Sequence, residues 1–231
     1  MARFKRPKNC INCPYKSGIF KKVGTEVIRE LHKYCFIVNY KKGERFAKQG
    51  TPITHSLYLT HGMGKIFVEG NKKNTIIKII SPGEFIGLYS IFSEKPIYNF
   101  SASAVLDSQL CMIEVEFLRK LSTTNLAFTQ GVIKEISNCA TVLFDRLNSF
   151  NQKSSRGRIA DILLYLADSI YHSDNFVLPF TRRELAELAS ISLENAVRLL
   201  GELKNSGIID FKDKHFIIKQ RDLLEKISLM G

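Results

Sequence analysis

The sequence has no tryptophan and no apolar run near the roughly 20 residues that a membrane-spanning helix needs. No membrane partner is therefore expected. Its first 18 residues, MARFKRPKNCINCPYKSG, have no apolar core segment, which speaks against a secretory signal. They also lack acids, a trait of transit peptides, but contain a single serine. A cytoplasmic location is expected. Cysteine is scarce and odd in number: five residues without an export signal do not make a disulfide framework. Histidine is scarce too, and His32, His55, His61, His172 and His215 show no metal-ligand spacing. No nucleophile–base set or carboxylate pair stands at useful spacing, so no enzyme is expected. A thiol oxidoreductase would need its CxxC to open a helix after a strand, whereas Cys10 and Cys13 lie in a basic tail.

What is present is positive charge. The 231 residues carry a formal net charge of +12, which suits a polyanionic partner. Its placement is uneven. Residues 1–23 hold Arg3, Lys5, Arg6, Lys8, Lys16, Lys21 and Lys22 and no acid, whereas residues 151–231 hold 12 basic and 11 acidic side chains. A solvated basic tail accounts for much of the excess, so charge alone does not point to a DNA-binding domain.

The chain is long enough for one large domain or two small ones. From about 34 to 116 it reads as short strands, CFIVNY, HSLYLT, KIFVEG, TIIKII and SQLCMIEV, rich in β-branched and aromatic residues. Gly43, Gly50, Gly62, Gly64, Gly70, Gly83 and Gly87 punctuate them at turn or bulge positions. Many short strands at this spacing predict a sandwich or small barrel, and no βαβ alternation appears. From 117 to 151, Leu126, Val132, Ile133, Ile136, Cys139, Ala140, Leu143, Leu147 and Phe150 recur at helical spacing. That apolar stripe must be covered, either by an identical helix in a two-fold dimer or by the barrel of the same chain. NQKSSRG, 151–157, reads as a polar hinge. A helix, RIADILLYLADSIY, then an extended piece, NFVLPF, follow it, and the chain ends in a hairpin, FKDKHFIIKQ, and a short helix.

Between these, TRRELAELASISLENAVRLLGELKNSGIID has the form of two helices and a three-residue turn. Thr181 and Glu184 complete a capping box, the first helix ends near Ala189, and the second runs from Leu193 to Asn205 with Ser192 as its cap and Gly207 as its stop. Leu185, Leu188, Ile191, Ala196, Leu199, Leu200 and Leu203 supply a shared core. What remains outside is one face made of Glu194, Val197, Arg198 and Gly201. Its chemistry suits a major groove, since Arg bonds guanine bidentately, Glu accepts from cytosine N4 and Val meets a thymine methyl. Glu194 and Arg198 also have the i,i+4 spacing of an ordinary surface ion pair.

This stretch resembles the winged helix-turn-helix of the CRP/FNR family of transcription regulators, whose second helix carries Glu-x-x-x-Arg followed by two apolar residues, here Glu194, Arg198, Leu199 and Leu200. Upstream, YKKGERFAKQGTPITHSLYLTHGMGKIFVEG and SPGEFIGLYSIF resemble that family's effector-binding β-roll, and the likeness covers residues 24 to 228. It implies an α+β chain with a basic segment (1–23), a double-stranded β-helix or jelly-roll barrel (24–116), a dimerisation helix (117–151) and a winged helix-turn-helix (152–231). The implied function is a homodimeric regulator on double-stranded DNA, working with RNA polymerase under an unidentified small-molecule or gas effector. Glu194 and Arg198 would read a GA step of a TGA-type half-site, Ser192 and Val197 would lie at the same surface, and Arg182 would hold a phosphate. Ser190 stands where many such turns have glycine.

For the sensor, the resemblance implies an effector pocket at Gly83, Glu84, Phe100 and Ser101. Cyclic AMP is not expected, because Phe100 or Tyr98 falls where cyclic-nucleotide binders place the arginine that meets the phosphate, and a buried charge needs a partner. Ile97, Tyr98 and Phe100 suit a filled pocket or an apolar effector. Cys10, Cys13 and Cys111 resemble part of the [4Fe–4S] ligand set of the FNR oxygen sensors. Ile19 stands where the next ligand belongs, and Cys35 could serve as the fourth only if the chain folds back. Two other readings stay open: an FNR-type redox or gas sensor, and a β-roll module acting on a protein partner.

Overall fold

The computed structural model describes residues 7, 10–71 and 73–230, the last without its side chain. Residues 1–6, 8 and 9 of the basic N-terminal segment, with Arg3, Lys5, Arg6 and Lys8, lie outside the described residues. The elements run in order α1 (Gly18–Lys21), α2 (Thr25–Leu31), β1 (Cys35–Tyr40), β2 (Arg45–Ala47), β3 (His55–His61), β4 (Gly64–Val68), β5 (Thr75–Ile80) and β6 (Phe85–Ile86). A 3-10 turn at Leu88–Phe92 leads to β7 (Ser101–Ala104), β8 (Ser108–Glu114), α3 (Val115–Thr124) and α4 (Leu126–Gln152). Then come α5 (Ser155–Tyr165), a π-helical stretch (Leu166–Tyr171), β9 (Asn175–Val177), α6 (Arg182–Leu188), α7 (Leu193–Asn205), β10 (Ile209–Lys212), β11 (His215–Ile218) and α8 (Arg221–Met230).

Two four-stranded sheets, ordered β1-β8-β3-β6 and β2-β7-β4-β5, make the expected jelly-roll barrel. Period-2 alternation sets their register. Val38 opposes Leu110 and Leu59 opposes Leu110 from the other side, so β8 carries its buried residues inward between two neighbours. Strand β3 is buried on both faces from Ser56 to Thr60. Its inner face, Leu57 and Leu59, stands beside Ile86 and Leu110 of the neighbouring strands. Outside, Tyr58 packs on Phe85, whose ring lies 6.2 Å from Phe20 of α1, and Phe20 in turn lies 5.6 Å from Phe128 of α4. The N-terminal segment is thus part of the barrel's outer layer.

The chain divides into two compact units, residues 1–69 with 79–142 and residues 70–78 with 143–231. The boundary falls inside α4 and not at its end. Two expectations are corrected here. The helix expected over 117–151 is broken at Asn125, which adopts an extended conformation while its Oδ1 accepts from the backbone N–H of Phe128 at 2.9 Å and so starts α4 as an N-cap. The polar hinge at 151–157 shrinks to Lys153 and Ser154. Helix α4 runs on to Gln152, and Ser154 Oγ accepts from Gly157 N to cap α5 at once.

In the second unit a three-stranded sheet, β10-β11-β9, forms the wing beside α6 and α7. Where α4, α5 and α8 meet, Asp161 accepts from Ser149 Oγ at 2.8 Å, from Lys153 Nζ at 2.6 Å and from Ser228 Oγ. Lys153 and Asp161 are both largely buried. Removing one partner of such a pair leaves the other charged and unpaired, which costs more than the pair itself contributes. Asp161→Ala is expected to destabilise this unit by about 2–3 kcal/mol. A urea titration of the variant against the wild type measures it, and an unchanged midpoint contradicts the assignment.

Candidate nucleic-acid interface and sensor site

The helix-turn-helix has the boundaries expected of it. Thr181 Oγ1 accepts from Glu184 N at 3.1 Å while Glu184 Oε2 accepts from Thr181 N at 2.8 Å, the capping box in full. Ser192 Oγ accepts from Asn195 N at 3.2 Å, and Gly207, with φ of +71°, lets the chain leave α7 in the left-handed region. Ser190 takes φ of +55°, where a glycine would sit without strain. Leu185, Leu188, Ile191, Ala196, Leu199, Leu200 and Leu203 are all buried.

One buried cation sets where this motif sits. Arg146 of α4 donates through Nη2 to the carbonyl of Leu188, the last residue of α6, and to the carbonyl of Ile76 at 3.1 Å; its guanidinium lies 4.8 Å from the ring centre of Phe150. Burial pushes its pKa down to about 10.

Helix α7 presents Glu194, Val197 and Arg198 to solvent, Val197 being 52% exposed. The ion pair that the spacing allows between Glu194 and Arg198 is absent. Arg198 turns the other way, to Glu202 through Nη1 and to Asn195 Oδ1 through Nη2 at 2.7 Å. Both ends of the Arg198–Glu202 pair are exposed, at 60% and 42%, so it holds by about 0–1 kcal/mol. Glu194 instead folds over the helix start, where its own backbone N–H and the Ser192 hydroxyl hold its carboxyl below the usual range. Arg182 is engaged within the chain. Its guanidinium lies 4.5 Å from the ring centre of Phe211 and 4.8 Å from that of Phe216, and Nη2 reaches the carbonyl of Asp213 at 3.4 Å. It clamps the wing to the start of α6, and burial lowers its pKa. Sequence reasoning missed Asn195 and Glu202 as partners of Arg198; both stand at helical i−3 and i+4 spacing from it, which was the available signal.

Of the expected effector residues, two build a turn and two are buried. Gly83, with φ of +99°, and Glu84, whose Oε2 accepts from Ser81 N at 2.8 Å, build the turn before β6. Phe100 and Ser101 are buried. Phe100 packs edge-on against Tyr98, and its ring sits so close over Gly87 that a Cβ there would meet it at 2.8 Å. Ser101 Oγ donates to Glu69, itself 2.9 Å from Arg45, and accepts from Gln49 N at 3.0 Å. Phe100 thus stands among the rings of Tyr89 and Tyr98 and has no cation to offer a phosphate.

The cysteines do come together. The turn at Cys10–Cys13 lays Cys10 Sγ 3.5 Å from Cys35 Sγ and 3.5 Å from His32 Nδ1. Cys111, on β8 beside β1, is the diagonal neighbour of Cys35. The hydrogen bond from Cys35 and burial raise the pKa of Cys10. For Cys35 the bond to Cys10 lowers it, but the nearness of Cys111 and burial outweigh this and push it up to about 12. A four-iron cluster must stand between its ligand sulfurs, and here two of the four are in contact. Among the described residues no three His, Cys, Asp or Glu side chains are arranged to hold a metal ion. The donor set Cys10, Cys13, Cys35 and Cys111 therefore does not fit the cluster in this arrangement.

Comparison with known proteins gives two family matches, a cyclic nucleotide-binding domain over residues 37–125 and a Crp-like helix-turn-helix domain over 157–227. The chain is 23% identical to the anaerobic regulatory protein of Bacillus subtilis over 211 residues, 89% of this chain and 84% of that one. It is 24% identical to the fumarate and nitrate reduction regulatory protein of Escherichia coli, over 81% and 76% of the two chains. The structure of FixK2 from Bradyrhizobium japonicum superposes with a TM-score of 0.76 at 18% identity, covering 84% of this chain and 97% of that one.

Gly201 lies on the outer face of α7, and a Cβ added there meets nothing within 4 Å. Gly201→Ala is expected to stabilise the free protein by about 0.5–1 kcal/mol through helix propensity. Thermal unfolding reads this directly, and a lower midpoint would show that the position is crowded.

Proposed function

Because this chain belongs to the CRP/FNR family of transcription regulators, we propose that it works as a homodimer that reads a near-palindromic, TGA-type site in double-stranded DNA. The observation that carries the reading is the outer face of α7. Its apolar side is consumed by the core, and what is left is a carboxylate, a small apolar side chain and a guanidinium in one strip. Arg198 exchanges Glu202 and Asn195 for the O6 and N7 of guanine. A weak exposed pair is given up for a bidentate bond worth about 1–3 kcal/mol of base discrimination. Glu194, at the helix start, accepts from a cytosine N4. Arg182 contributes by holding the wing, and its remaining open face lies at the phosphate side of the same surface. RNA polymerase is the further partner that such a regulator recruits or obstructs.

The dimer reading rests on α4. Leu126, Ile133, Ala140 and Leu147 follow one another at intervals of seven, and Ile136, Leu143 and Phe150 fall three places after the last three of these. Leu126, Ile133, Leu143 and Leu147 are exposed in the single chain, as is Phe144 at 71%. Each such side chain gains about 1.5–3 kcal/mol when fully covered, and a second copy of the same helix presents the same seam. Two recognition helices held in this way would enter successive major grooves about 34 Å apart.

For the input, the names of two relatives, an anaerobic regulatory protein and a fumarate and nitrate reduction regulatory protein, favour a response to redox conditions. The filled β-roll and the gathered thiols favour it over a cyclic nucleotide.

Selection of binding sites from random duplexes, followed by a titration against each single-base variant, tests the DNA reading. Arg198→Ala is expected to cost about 1–3 kcal/mol at one guanine and nothing at the corresponding substituted site. An unchanged preference sinks the assignment. Leu147→Asp is expected to yield monomers in sedimentation experiments and to abolish binding to the full palindrome. A dimer that persists in this variant places the interface elsewhere.

A further inference from the structure

The thiols have a use that reading DNA does not explain. Cys35 is fixed: it is buried at the start of β1, in register with Ile113, and the β1–β8 ladder holds its strand. Cys10 is partly exposed, and belongs to a turn closed by Cys13 N donating to Cys10 O at 3.5 Å. The two sulfurs stand 3.5 Å apart across 25 residues of sequence. A disulfide needs about 2.0 Å, so closure takes a movement of about 1.5 Å by the turn and none by the strand. The neighbouring alternative does not close. Cys111 opposes Ile37 and not Cys35, so Cys35 and Cys111 are diagonal neighbours on paired strands. Such pairs hold their Cα atoms about 7–8 Å apart, at or beyond the upper limit for a disulfide, and the ladder fixes them.

We propose that Cys10 and Cys35 form a redox-modification site that closes to a reversible disulfide when the protein meets a hydroperoxide. Cys10 is the sulfur that a small oxidant reaches, and His32 Nδ1, 3.5 Å away, is placed to take its proton. The Cys10 sulfur attacks the peroxide, the O–O bond breaks, one oxygen leaves as water and Cys10 becomes a sulfenic acid. The Cys35 sulfur then attacks Cys10 sulfur, the S–O bond breaks and a second water leaves with the remaining proton. Two thiols and one hydrogen peroxide thus give one disulfide and two waters. The bond ties down a segment that bears on α4, since Ile19 packs over Gly131, where a Cβ would meet it at 3.0 Å, and Phe20 packs on Phe128.

The test uses the full chain, reduced and freed of reductant without oxygen, then treated with hydrogen peroxide. Remaining thiols are alkylated, and the tryptic peptides are sequenced by tandem mass spectrometry. The expected product is peptide 9–16 joined to peptide 34–41 through Cys10 and Cys35, reversed by dithiothreitol. It should vanish in Cys10→Ser and persist in Cys13→Ser. A Cys10–Cys13 or Cys35–Cys111 bond, or over-oxidised thiols without a crosslink, overturns the proposal. So does anaerobically isolated protein whose Cys10 and Cys35 resist alkylation while holding stoichiometric iron and sulfide. Only thiols are read, so the outcome is independent of whether the DNA assignment holds.

Discussion

A guanidinium taken out of water constrains much of the C-terminal unit. The Arg146 guanidinium is turned inward on α4, and the carbonyl groups of Leu188 and Ile76 are its partners through Nη2, while its buried Nε has none among the described residues. Moving either carbonyl would leave a charge with less compensation in a low-dielectric setting, which is expensive. The end of α6 is therefore held against α4. From there the chain has little freedom. Ala189 closes α6, Ser190 turns through a positive φ, Ile191 inserts into the core and Ser192 caps α7. The direction of the recognition helix follows from where Leu188 ends.

Several features of the two units share one logic, in which a polar group is fixed by backbone or by a second polar group and so fixes an element. Asp161 gathers α4, α5 and α8. Arg182 holds the wing through two rings. Arg221 of α8 pairs with Asp168, Asp174 and Glu225 and so joins α8 to the π-helical stretch and the start of β9. In the barrel the corresponding work is done by packing, with Phe20, Phe85 and Phe128 layered outside β3. The C-terminal unit is small, and specific polar contacts supplement a core that surface-to-volume scaling keeps modest.

Much of this was legible in the sequence where the signal is local. The capping box at Thr181, the Ser192 cap and the stop at Gly207 gave α6 and α7 their limits, and β1 and β5 occupy the runs CFIVNY and TIIKII. Strands β2, β6 and β7 were not legible, because two to four residues carry no periodicity and exist only through distant partners. The break at Asn125 was missed because apolar spacing continues across it. At the candidate sites the missing knowledge was again long-range. Nothing near Cys10 says that Cys35 lies beside it, and nothing near Arg182 says that Phe211 and Phe216 do. Phe100 is read from its type alone: where the resemblance puts a cation, phenylalanine brings none, and its ring is buried against Tyr98.

On the proposed reading of DNA by Arg198, its attachment to Glu202 and Asn195 governs how errors are tolerated. A free arginine would pay up to about 2 kcal/mol in rotamer entropy on docking to a base. One already extended along α7 pays less, which favours quick sampling. On a wrong sequence the side chain simply keeps its intramolecular partner, so a mismatch forfeits a bond without stranding a charge. Such a reader ranks related sites by degree, and does not divide sequences sharply into bound and unbound.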